Sequence, residues 1–324
     1  MIEAAVIVEI GTAPTTTTRP RPVVDAHDEV LLDVLAVALN PVDVAIGGGR
    51  FYAGHPPLPY VPGIESVGRT TGDRRLVYAQ GSGRGISRDG FAAEQIVVPS
   101  AALIDIPDET DPVLAVALGT AGVAGWLAVT ARGQAGPDDV VVVLGATGSV
   151  GRISLQAARI AGARRVVAVA RSADRLAELG ELADETVAID GDDLSGRIGA
   201  ACTQPPTLVI DALWGSPAVA AMTAAAPGAR IVHLGASAGS ETVVPSAPVR
   251  GKQLDILGYS NFALPRQAFV DGYRELVDLA NEGGVTLPIE RFALSDVAVA
   301  WDAAANGRSK AVVAMQSDTD KGAG

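Results

Sequence analysis

The stretch that decides the fold reads Val140-Val141-Val142-Val143-Leu144-Gly145-Ala146-Thr147-Gly148-Ser149-Val150-Gly151. Five apolar residues run directly into a turn of small residues, behind which the pattern predicts a helix over 150–161. Small residues let the backbone turn tightly and approach a pyrophosphate, whose charge meets free N–H groups at the helix start. Ala146 stands first in the usual G-x-G-x-x-G spacing, and Gly148 and Gly151 hold the other two positions. We predict a dinucleotide site formed by Ala146, Thr147, Gly148, Ser149, Val150 and Gly151. A bare strand-to-helix turn is the alternative.

The chain after this stretch alternates between apolar runs and helical patterns. Continuous Val- and Ile-rich runs predict parallel strands buried on both faces, at 140–144, 165–170, 186–189, 208–211, 230–235 and 254–257. Helices are predicted between them at 150–161, 173–182 and 217–226. Six strands with intervening helices predict one doubly wound parallel sheet of the Rossmann type.

The chain before this stretch has a different pattern. From residue 1 to about 110, short apolar runs such as 4–8, 30–34, 75–78 and 94–98 are separated by Pro and Gly. Short strands with frequent turn residues predict a β-rich, barrel-type unit. A length of 324 residues also favours two domains, so the chain is predicted to be α/β with a second, β-rich domain.

Composition narrows the partners. The formal net charge is −12, and an acidic surface repels phosphate backbones and anionic lipid, so we expect neither nucleic acid nor a membrane as partner. Cys202 is the one cysteine, which precludes an internal disulfide or a thiolate zinc site and fits a reducing cytoplasm. The N-terminus lacks the basic start of a secretory signal, and 317–324 is predicted to be a polar tail. The uncharged stretch 113–131 is interrupted by three glycines and is predicted to be buried helix.

The end of the second predicted strand bears on the choice of dinucleotide. An NAD site would place Asp or Glu there to bind the ribose hydroxyls, whereas this chain has Arg171 and Ser172, followed by Arg175. The missing acid removes repulsion of a 2′-phosphate, and the two arginines are suited to pair with it. This pattern predicts NADPH. Two arginines on an exposed helix start are the alternative.

Five segments in order carry a resemblance to a known family. They are 39–43 (Leu-Asn-Pro-Val-Asp), 58–65 (Leu-Pro-Tyr-Val-Pro-Gly-Ile-Glu), 90–94 (Gly-Phe-Ala-Ala-Glu), 145–151 and 309–313 (Ser-Lys-Ala-Val-Val). The chain resembles the zinc-independent quinone oxidoreductases of the medium-chain dehydrogenase/reductase superfamily. The resemblance implies a GroES-like catalytic domain, residues 1–121 and 264–324, and a dinucleotide-binding Rossmann domain, residues 122–263. It also implies an active site in the cleft between them and a homodimer joined through the strand at 254–257.

The resemblance also implies catalytic residues. Asn40 is expected to donate its amide to the substrate carbonyl or the nicotinamide ribose, although Asn-Pro is also a common turn pair. Asp43 is expected to orient its neighbours, or simply to begin a helix. Tyr52 is expected to bind the carbonyl oxygen or supply a proton, with Phe51 as the alternative in register. Zinc-using relatives carry Cys where Asn40 stands and His where Ile64 stands, so no metal is expected.

The later strands add further cofactor residues and two departures from the family. Gly235, Tyr259 and Ser260 are expected near the nicotinamide, because ligands collect at the carboxyl ends of such strands. Ala124 stands where relatives often have Thr, so that hydrogen bond is lost or passes to Thr120. A second departure is a carboxylate at 190, where NADPH-using relatives often show Tyr. A carboxylate there does not favour a 2′-phosphate.

These features together predict an NADPH-dependent, metal-independent oxidoreductase that transfers a hydride to a small-molecule quinone or α,β-unsaturated carbonyl. A short-chain dehydrogenase is disfavoured, because none of the five tyrosines has Lys four residues on. An enoyl-thioester reductase of the same superfamily and a non-catalytic NADPH-binding protein are the alternatives.

Overall fold

A computed structural model describes residues 1–307 and 309–315 of the chain. The predicted polar tail at 317–324 lies outside these residues. Within them the strands, in chain order, are β1 (Ile2–Val6), β2 (Thr15–Arg19), β3 (Glu29–Ala38), β4 (Glu65–Thr70), β5 (Leu76–Gln80), β6 (Gln95–Pro99), β7 (Leu103–Asp105), β8 (Val140–Leu144), β9 (Arg165–Ala170), β10 (Glu185–Ala188), β11 (Leu208–Asp211), β12 (Arg230–His233), β13 (Asp255–Gly258), β14 (Ile289–Ala293) and β15 (Lys310–Ala314). The α-helices are α1 (Pro41–Gly47), α2 (Pro112–Ala117), α3 (Thr120–Leu127), α4 (Ser149–Ile160), α5 (Ala173–Ala177), α6 (Leu194–Cys202), α7 (Gly215–Ala224), α8 (Ser246–Lys252), α9 (Arg266–Asn281) and α10 (Val297–Asn306).

The chain divides into two compact units. Unit 1 comprises 1–120, 277–282 and the described residues from 287 onward, and unit 2 comprises 121–276 and 283–286. The predicted domain limits, 1–121 with 264–324 and 122–263, stay a prediction.

Unit 2 is built on the predicted parallel sheet. Its six strands lie in the order β10-β9-β8-β11-β12-β13, and every neighbouring pair is parallel. The order reverses between β8 and β11, which makes the carboxyl ends of these two strands the place where such sheets bind ligands. All five residues of β8 are buried, because helices cover both faces of a sheet of this kind. The fold-class prediction is confirmed.

Unit 1 contains the β-rich part of the fold. One sheet has the strand order β14-β15-β3-β4-β5-β7, with β6 paired to β3, and β1 pairs with β2 in a separate antiparallel ribbon. Strands from both ends of the chain meet in this sheet, since β15 pairs antiparallel with β3. The core therefore combines residues near the N-terminus with residues after 290.

Several predicted elements differ in their limits. The strand predicted over 230–235 ends at His233, because its register partner Asp211 is the last residue of the neighbouring strand β11. The helix predicted over 173–182 is only α5, Ala173–Ala177, followed by a short 3₁₀ turn at Gly180–Leu182. Helices α6 and α8 were not predicted.

The uncharged stretch 113–131 is helical, as predicted, but in separate pieces. Helix α2 ends before Leu118, and α3 begins at Thr120 and is followed by a turn of π-helix at Ala128–Arg132. None of the helices within residues 1–307 and 309–315 has the length and apolar character needed to cross a bilayer.

Candidate functional site

The glycine-rich turn after β8 is tightly folded. Gly145 has a φ of +81° and donates its N–H to the Val169 carbonyl at 2.8 Å. A Cβ at Gly151 would lie 2.6 Å from the Cα of Ala146, so only glycine lets α4 approach the turn this closely. The side chain of Ala146 is fully buried against this contact. Gly145, Ala146 and Gly151 therefore shape the turn.

The outer side of the turn is open. A Cβ at Gly148 would meet only the Gly145 carbonyl oxygen, at 3.6 Å. Gly148 precedes α4, whose first intrahelical hydrogen bond runs from Arg152 N–H to the Gly148 carbonyl at 2.9 Å. The N–H groups of the first helical residues Ser149, Val150 and Gly151 therefore have no helical carbonyl to bind. Small residues and free N–H groups at a helix start fit a pyrophosphate.

The corner between β9 and α5 lies beside the turn. Ser172 begins α5, and its hydroxyl oxygen accepts from the Arg175 N–H at 3.3 Å. The Arg175 guanidinium donates to the Thr147 carbonyl at 2.8 Å, so the structure brings these two predicted cofactor residues together. Arg171 is exposed, and its guanidinium has no partner among the described residues. The corner therefore presents a free cation next to the dinucleotide turn.

The loops after β11, β12 and β13 meet at the same edge of the sheet. Asp211 accepts two backbone N–H groups, from Leu213 and Trp214, each at 2.9 Å. The second carboxylate oxygen of Asp211 lies 3.0 Å from Nδ1 of His233, whose ring is 4.3 Å from that of Trp214. Asp211 thus fixes the loop beside Gly235. Neither Asp211 nor His233 was predicted as a site residue.

The last of these loops carries two further predicted residues. Tyr259 donates its N–H to the His233 carbonyl at 2.9 Å, and its hydroxyl donates to Oδ1 of Asn261 at 2.8 Å. Burial raises the pKa of the Tyr259 hydroxyl above its ordinary value. Ser260 is exposed at the start of a short 3₁₀ turn.

Unit 1 contains a buried cluster of polar side chains centred on Glu65. One carboxylate oxygen accepts from the Asn40 amide at 2.7 Å, and the other accepts from the Tyr78 hydroxyl at 2.7 Å and the Thr120 N–H at 2.6 Å. The ammonium of Lys310 lies 3.7 Å from Glu65 and donates to Oδ1 of Asn40. We call these five residues the Glu65 cluster. Both ends of the Asn40 amide are held by protein groups, and its predicted contact with substrate stays a prediction.

Asp43 borders the Glu65 cluster. Its Oδ2 accepts from the Asn40 N–H at 2.8 Å, as expected of a residue in the first turn of a helix, here α1. Its Oδ1 is buried without a hydrogen-bond partner among the described residues. Burial raises the pKa of Asp43 to about 7, and the nearby charge of Glu65 adds to the shift. Burial lowers the pKa of Lys310.

Tyr52 lies in a different environment from Asn40 and Asp43. Its side chain is 85% exposed, and its ring lies 4.4 Å from that of Phe51. Phe51 is half-buried and packs against the core of unit 1. Of the two aromatics, Tyr52 is therefore the one available to a ligand.

Sequence reasoning missed part of both sites. Glu65 and Lys310 were quoted only as parts of motifs, yet each is a charged residue directly beside an apolar one, Ile64 or Ala311, which was a signal of burial. No group of three or more His, Cys, Asp or Glu side chains suited to a metal occurs in the part of the chain that the structure describes.

Comparison with known proteins agrees with the fold. A family described as Zinc-binding dehydrogenase matches residues 149–282. Mouse quinone oxidoreductase is 34% identical over 152 residues, covering 44% of this chain and 43% of the mouse protein. A phenolphthiocerol/phthiocerol polyketide synthase of Mycobacterium tuberculosis is 28% identical over 305 residues, 87% of this chain and 13% of that protein. The first curated relatives are matched over less than half of their length, 46%, 43% and 42%.

A solved structure extends the similarity to nearly the whole chain. The quinone oxidoreductase from Thermus thermophilus, described alone and in complex with NADPH, is 26% identical with a TM-score of 0.80. The match covers 96% of this chain and 99% of that one. The chain therefore has the fold of the quinone oxidoreductases of the medium-chain dehydrogenase/reductase superfamily. The similarities to quinone oxidoreductases support the resemblance that the five sequence segments indicated.

Proposed function

We propose that the chain is an NADPH-dependent oxidoreductase that reduces a quinone or an α,β-unsaturated carbonyl without a metal. A bound reduced nicotinamide supplies the hydride in such a reaction. The protein's part is to bind the dinucleotide, orient the acceptor and stabilise the charge that develops on its oxygen.

The observation that carries the proposal is the space at Gly148. Its Cβ position is open, whereas Gly151 is packed tightly on the turn, so the two glycines are needed for different reasons. The open side faces the start of α4, where N–H groups and the helix dipole favour a doubly charged pyrophosphate. A plain turn between strand and helix has no need for this space.

The corner after β9 supports NADPH over NADH. Arg171 and Arg175 stand where an NAD site would have a carboxylate. Arg171 has no partner within the described residues, so binding a 2′-phosphate would break no existing ion pair. The solved NADPH complex of the Thermus protein supports the same choice.

The residues of unit 1 would act on the acceptor in two ways. In this proposal the exposed Tyr52 donates its hydroxyl to the carbonyl oxygen of the acceptor. Asn40 and Asp43 are buried and hydrogen-bonded to each other, so we assign them a positioning role. This narrows the expected role of Asn40 from direct contact to orientation.

The donor set around Asn40 does not fit zinc. Zinc in proteins takes thiolate, imidazole or carboxylate ligands, but Asn40 supplies an amide and Ile64 an apolar side chain. The amide of Asn40 is bound to Glu65 and Lys310, and an ammonium at that point repels a cation. We therefore assign no step to a metal, in contrast to the name of the matching family.

A second candidate is an enoyl-thioester reductase. The similarity to a polyketide synthase extends over 87% of this chain and supports this alternative. We further propose a homodimer formed through β13, an edge strand of its sheet, on which Ile256 is 41% exposed.

The test measures binding and turnover separately. The purified protein, treated with a chelator, is titrated with NADPH and NADH by nicotinamide fluorescence, then assayed with quinones, enones and an enoyl-thioester. The proposal expects tighter binding of NADPH and its consumption with a quinone or enone at an unchanged rate after chelation.

Other results would change the assignment. Faster reduction of the thioester than of any quinone or enone favours the second candidate. Binding without consumption across the acceptors favours a non-catalytic NADPH-binding protein. A rate that falls with the chelator and returns with zinc contradicts metal independence, and no binding of either dinucleotide rejects the proposal.

A further inference from the structure

The carboxyl ends of β9 and β10 place charged residues at the same edge of the sheet. Ala170 and Ala188 are register partners in this parallel pair, and the Ile189 N–H donates to the Ala170 carbonyl at 2.8 Å. Arg171 directly follows β9, and Asp190 follows β10 by two residues. Both lie at the edge of the sheet where the dinucleotide turn lies. A carboxylate at this edge repels a 2′-phosphate.

The Asp190 carboxylate is paired with Arg197. Nη1 of Arg197 lies 2.9 Å from Oδ1 of Asp190, and the side chain of Asp190 is 70% exposed. The same guanidinium also donates to the carbonyls of Ala188, at 2.9 Å, and of Asp190. Three oxygens thus fix Arg197 at the end of β10, seven residues from Asp190 and on the next helix, α6.

We propose that Arg197 is a specificity-determining residue that permits NADPH binding by cancelling the charge of Asp190. This inference rests on the proposed function, because it concerns how the same site accepts a 2′-phosphate. It explains how a chain with a carboxylate at this corner remains compatible with NADPH. Arg171 would contact the phosphate, and Arg197 would act through Asp190.

The neighbouring charges are consistent with this division. Asp193 is engaged as the cap of α6, where its carboxylate accepts from the Gly196 N–H at 2.9 Å. Asp174 lies in the first turn of α5, where the helix dipole favours a carboxylate. The Asp190 carboxylate is instead paired with the guanidinium of Arg197, which also donates to the Asp190 carbonyl. Removal of this guanidinium leaves the full negative charge of the carboxylate.

A double-mutant cycle tests the inference. The unaltered protein, Arg197→Gln, Asp190→Asn and the double variant are titrated with NADPH and NADH by nicotinamide fluorescence at low ionic strength. We expect Arg197→Gln to weaken NADPH roughly fivefold, the scale of one unscreened surface charge, and to leave NADH unchanged. The double variant is expected to recover NADPH affinity to within about twofold of the unaltered protein, since the offending carboxylate is gone.

Arg159→Gln is the matched control. Arg159 pairs with Asp184 at 2.8 Å, and Asp184 immediately precedes β10, at the amino end of that strand. Like Arg197→Gln, this control removes a surface arginine that pairs with an aspartate next to β10, but here the aspartate lies at the opposite end of the strand from the dinucleotide turn. Its ratio of NADPH to NADH affinity is expected to equal that of the unaltered protein.

Three results would overturn the inference. A double variant as weak as Arg197→Gln would mean that Arg197 contacts the phosphate itself. Equal losses for both dinucleotides would mean that Arg197 only supports the strand end. Failure of the unaltered protein to bind NADPH would reject the inference and the proposed function together, whereas the first two results would leave the proposed function intact.

Discussion

The carboxylate of Glu65 lies directly over Gly119, in the space that a side chain at residue 119 would fill. A Cβ at this position would collide with Oε2 of Glu65 and lie 2.6 Å from Cε2 of Tyr78. Glycine at 119 is therefore needed so that Glu65 can reach the N–H of Thr120 at the start of α3. This links the Glu65 cluster to the beginning of a helix.

We expect Gly119→Ala to destabilise the protein by about 1–3 kcal/mol, the usual cost of overpacking a rigid buried site. Urea unfolding followed by circular dichroism measures the change. Gly72→Ala is the control, because a Cβ there meets nothing within 4 Å. Equal midpoints for the two variants would contradict the crowding at Gly119.

Lys310→Met tests the buried ion pair. Lys310 is 3% exposed and Glu65 is 0% exposed, so the variant leaves an uncompensated buried carboxylate, at a cost of about 3–5 kcal/mol. The double variant Glu65→Gln with Lys310→Met is expected to recover part of this loss. Arg291→Gln, which breaks the exposed pair with Asp111, should cost less than about 1 kcal/mol. A single Lys310→Met variant as stable as Arg291→Gln would refute the role of the pair.

The raised pKa of Asp43 predicts that the stability of the protein depends on pH. Burial raises its pKa from 3.8 to about 7, so the folded chain keeps a proton that the unfolded chain loses near pH 4. The stability that this proton gives is complete below about pH 4 and is lost as the pH rises through about 7. Between about pH 5 and pH 8, the urea midpoint of the unaltered protein should therefore fall relative to that of Asp43→Asn. Asp138→Asn, whose side chain is 97% exposed, is the control and should track the unaltered protein.

Gly148→Asp tests the dinucleotide site. The added carboxylate places bulk and negative charge where the pyrophosphate is proposed to lie, so NADPH binding should fall below detection while the far-ultraviolet circular dichroism is unchanged. Gly251→Asp makes the same change in exposed α8, where a Cβ meets nothing within 4 Å. Undiminished NADPH affinity in Gly148→Asp would contradict the site.

Arg171→Ala tests whether Arg171 binds the 2′-phosphate of NADPH. Loss of a charge-assisted hydrogen bond should weaken NADPH roughly tenfold or more, while NADH binding changes little. Arg164→Ala removes an exposed arginine just before the amino end of the same strand, β9, and should affect neither dinucleotide. Equal losses of NADPH and NADH in Arg171→Ala would show that Arg171 does not bind the 2′-phosphate.

Much of unit 2 was predictable because its strands are buried on both faces. The valine run of β8 and the similar runs after it indicated the parallel sheet, and the order of the strands followed the Rossmann pattern. Helix α6 was not predicted, because Gly196 and Gly199 lower its helix propensity and only tertiary packing overcomes them. Because α6 was not predicted, the sequence spacing did not indicate that Arg197 pairs with Asp190. The carboxylate at residue 190, where relatives often have Tyr, was therefore left unexplained.

The Glu65 cluster was harder to predict than the dinucleotide turn. The residues of the turn are contiguous in the sequence, so one short stretch contains the whole pattern that predicts dinucleotide binding. The contact between Asn40 and Lys310 joins residues 270 positions apart, and no local periodicity indicates that their strands lie in one sheet. The protein groups that bind the Asn40 amide were therefore not predicted, and its expected contact with the substrate carbonyl or the nicotinamide ribose stays a prediction.

The antiparallel pairing of β15 with β3 also orders events during synthesis. The first 120 residues contain Glu65 and Asn40, but the lysine that completes their cluster emerges from the ribosome only after the whole of unit 2. In a nascent chain that stops before residue 310, the Glu65 carboxylate lacks the lysine with which it pairs in the buried cluster. Unit 2 is nearly continuous in sequence, so it can reach its native state first. Unit 1, whose synthesis begins first, is then the last to be completed.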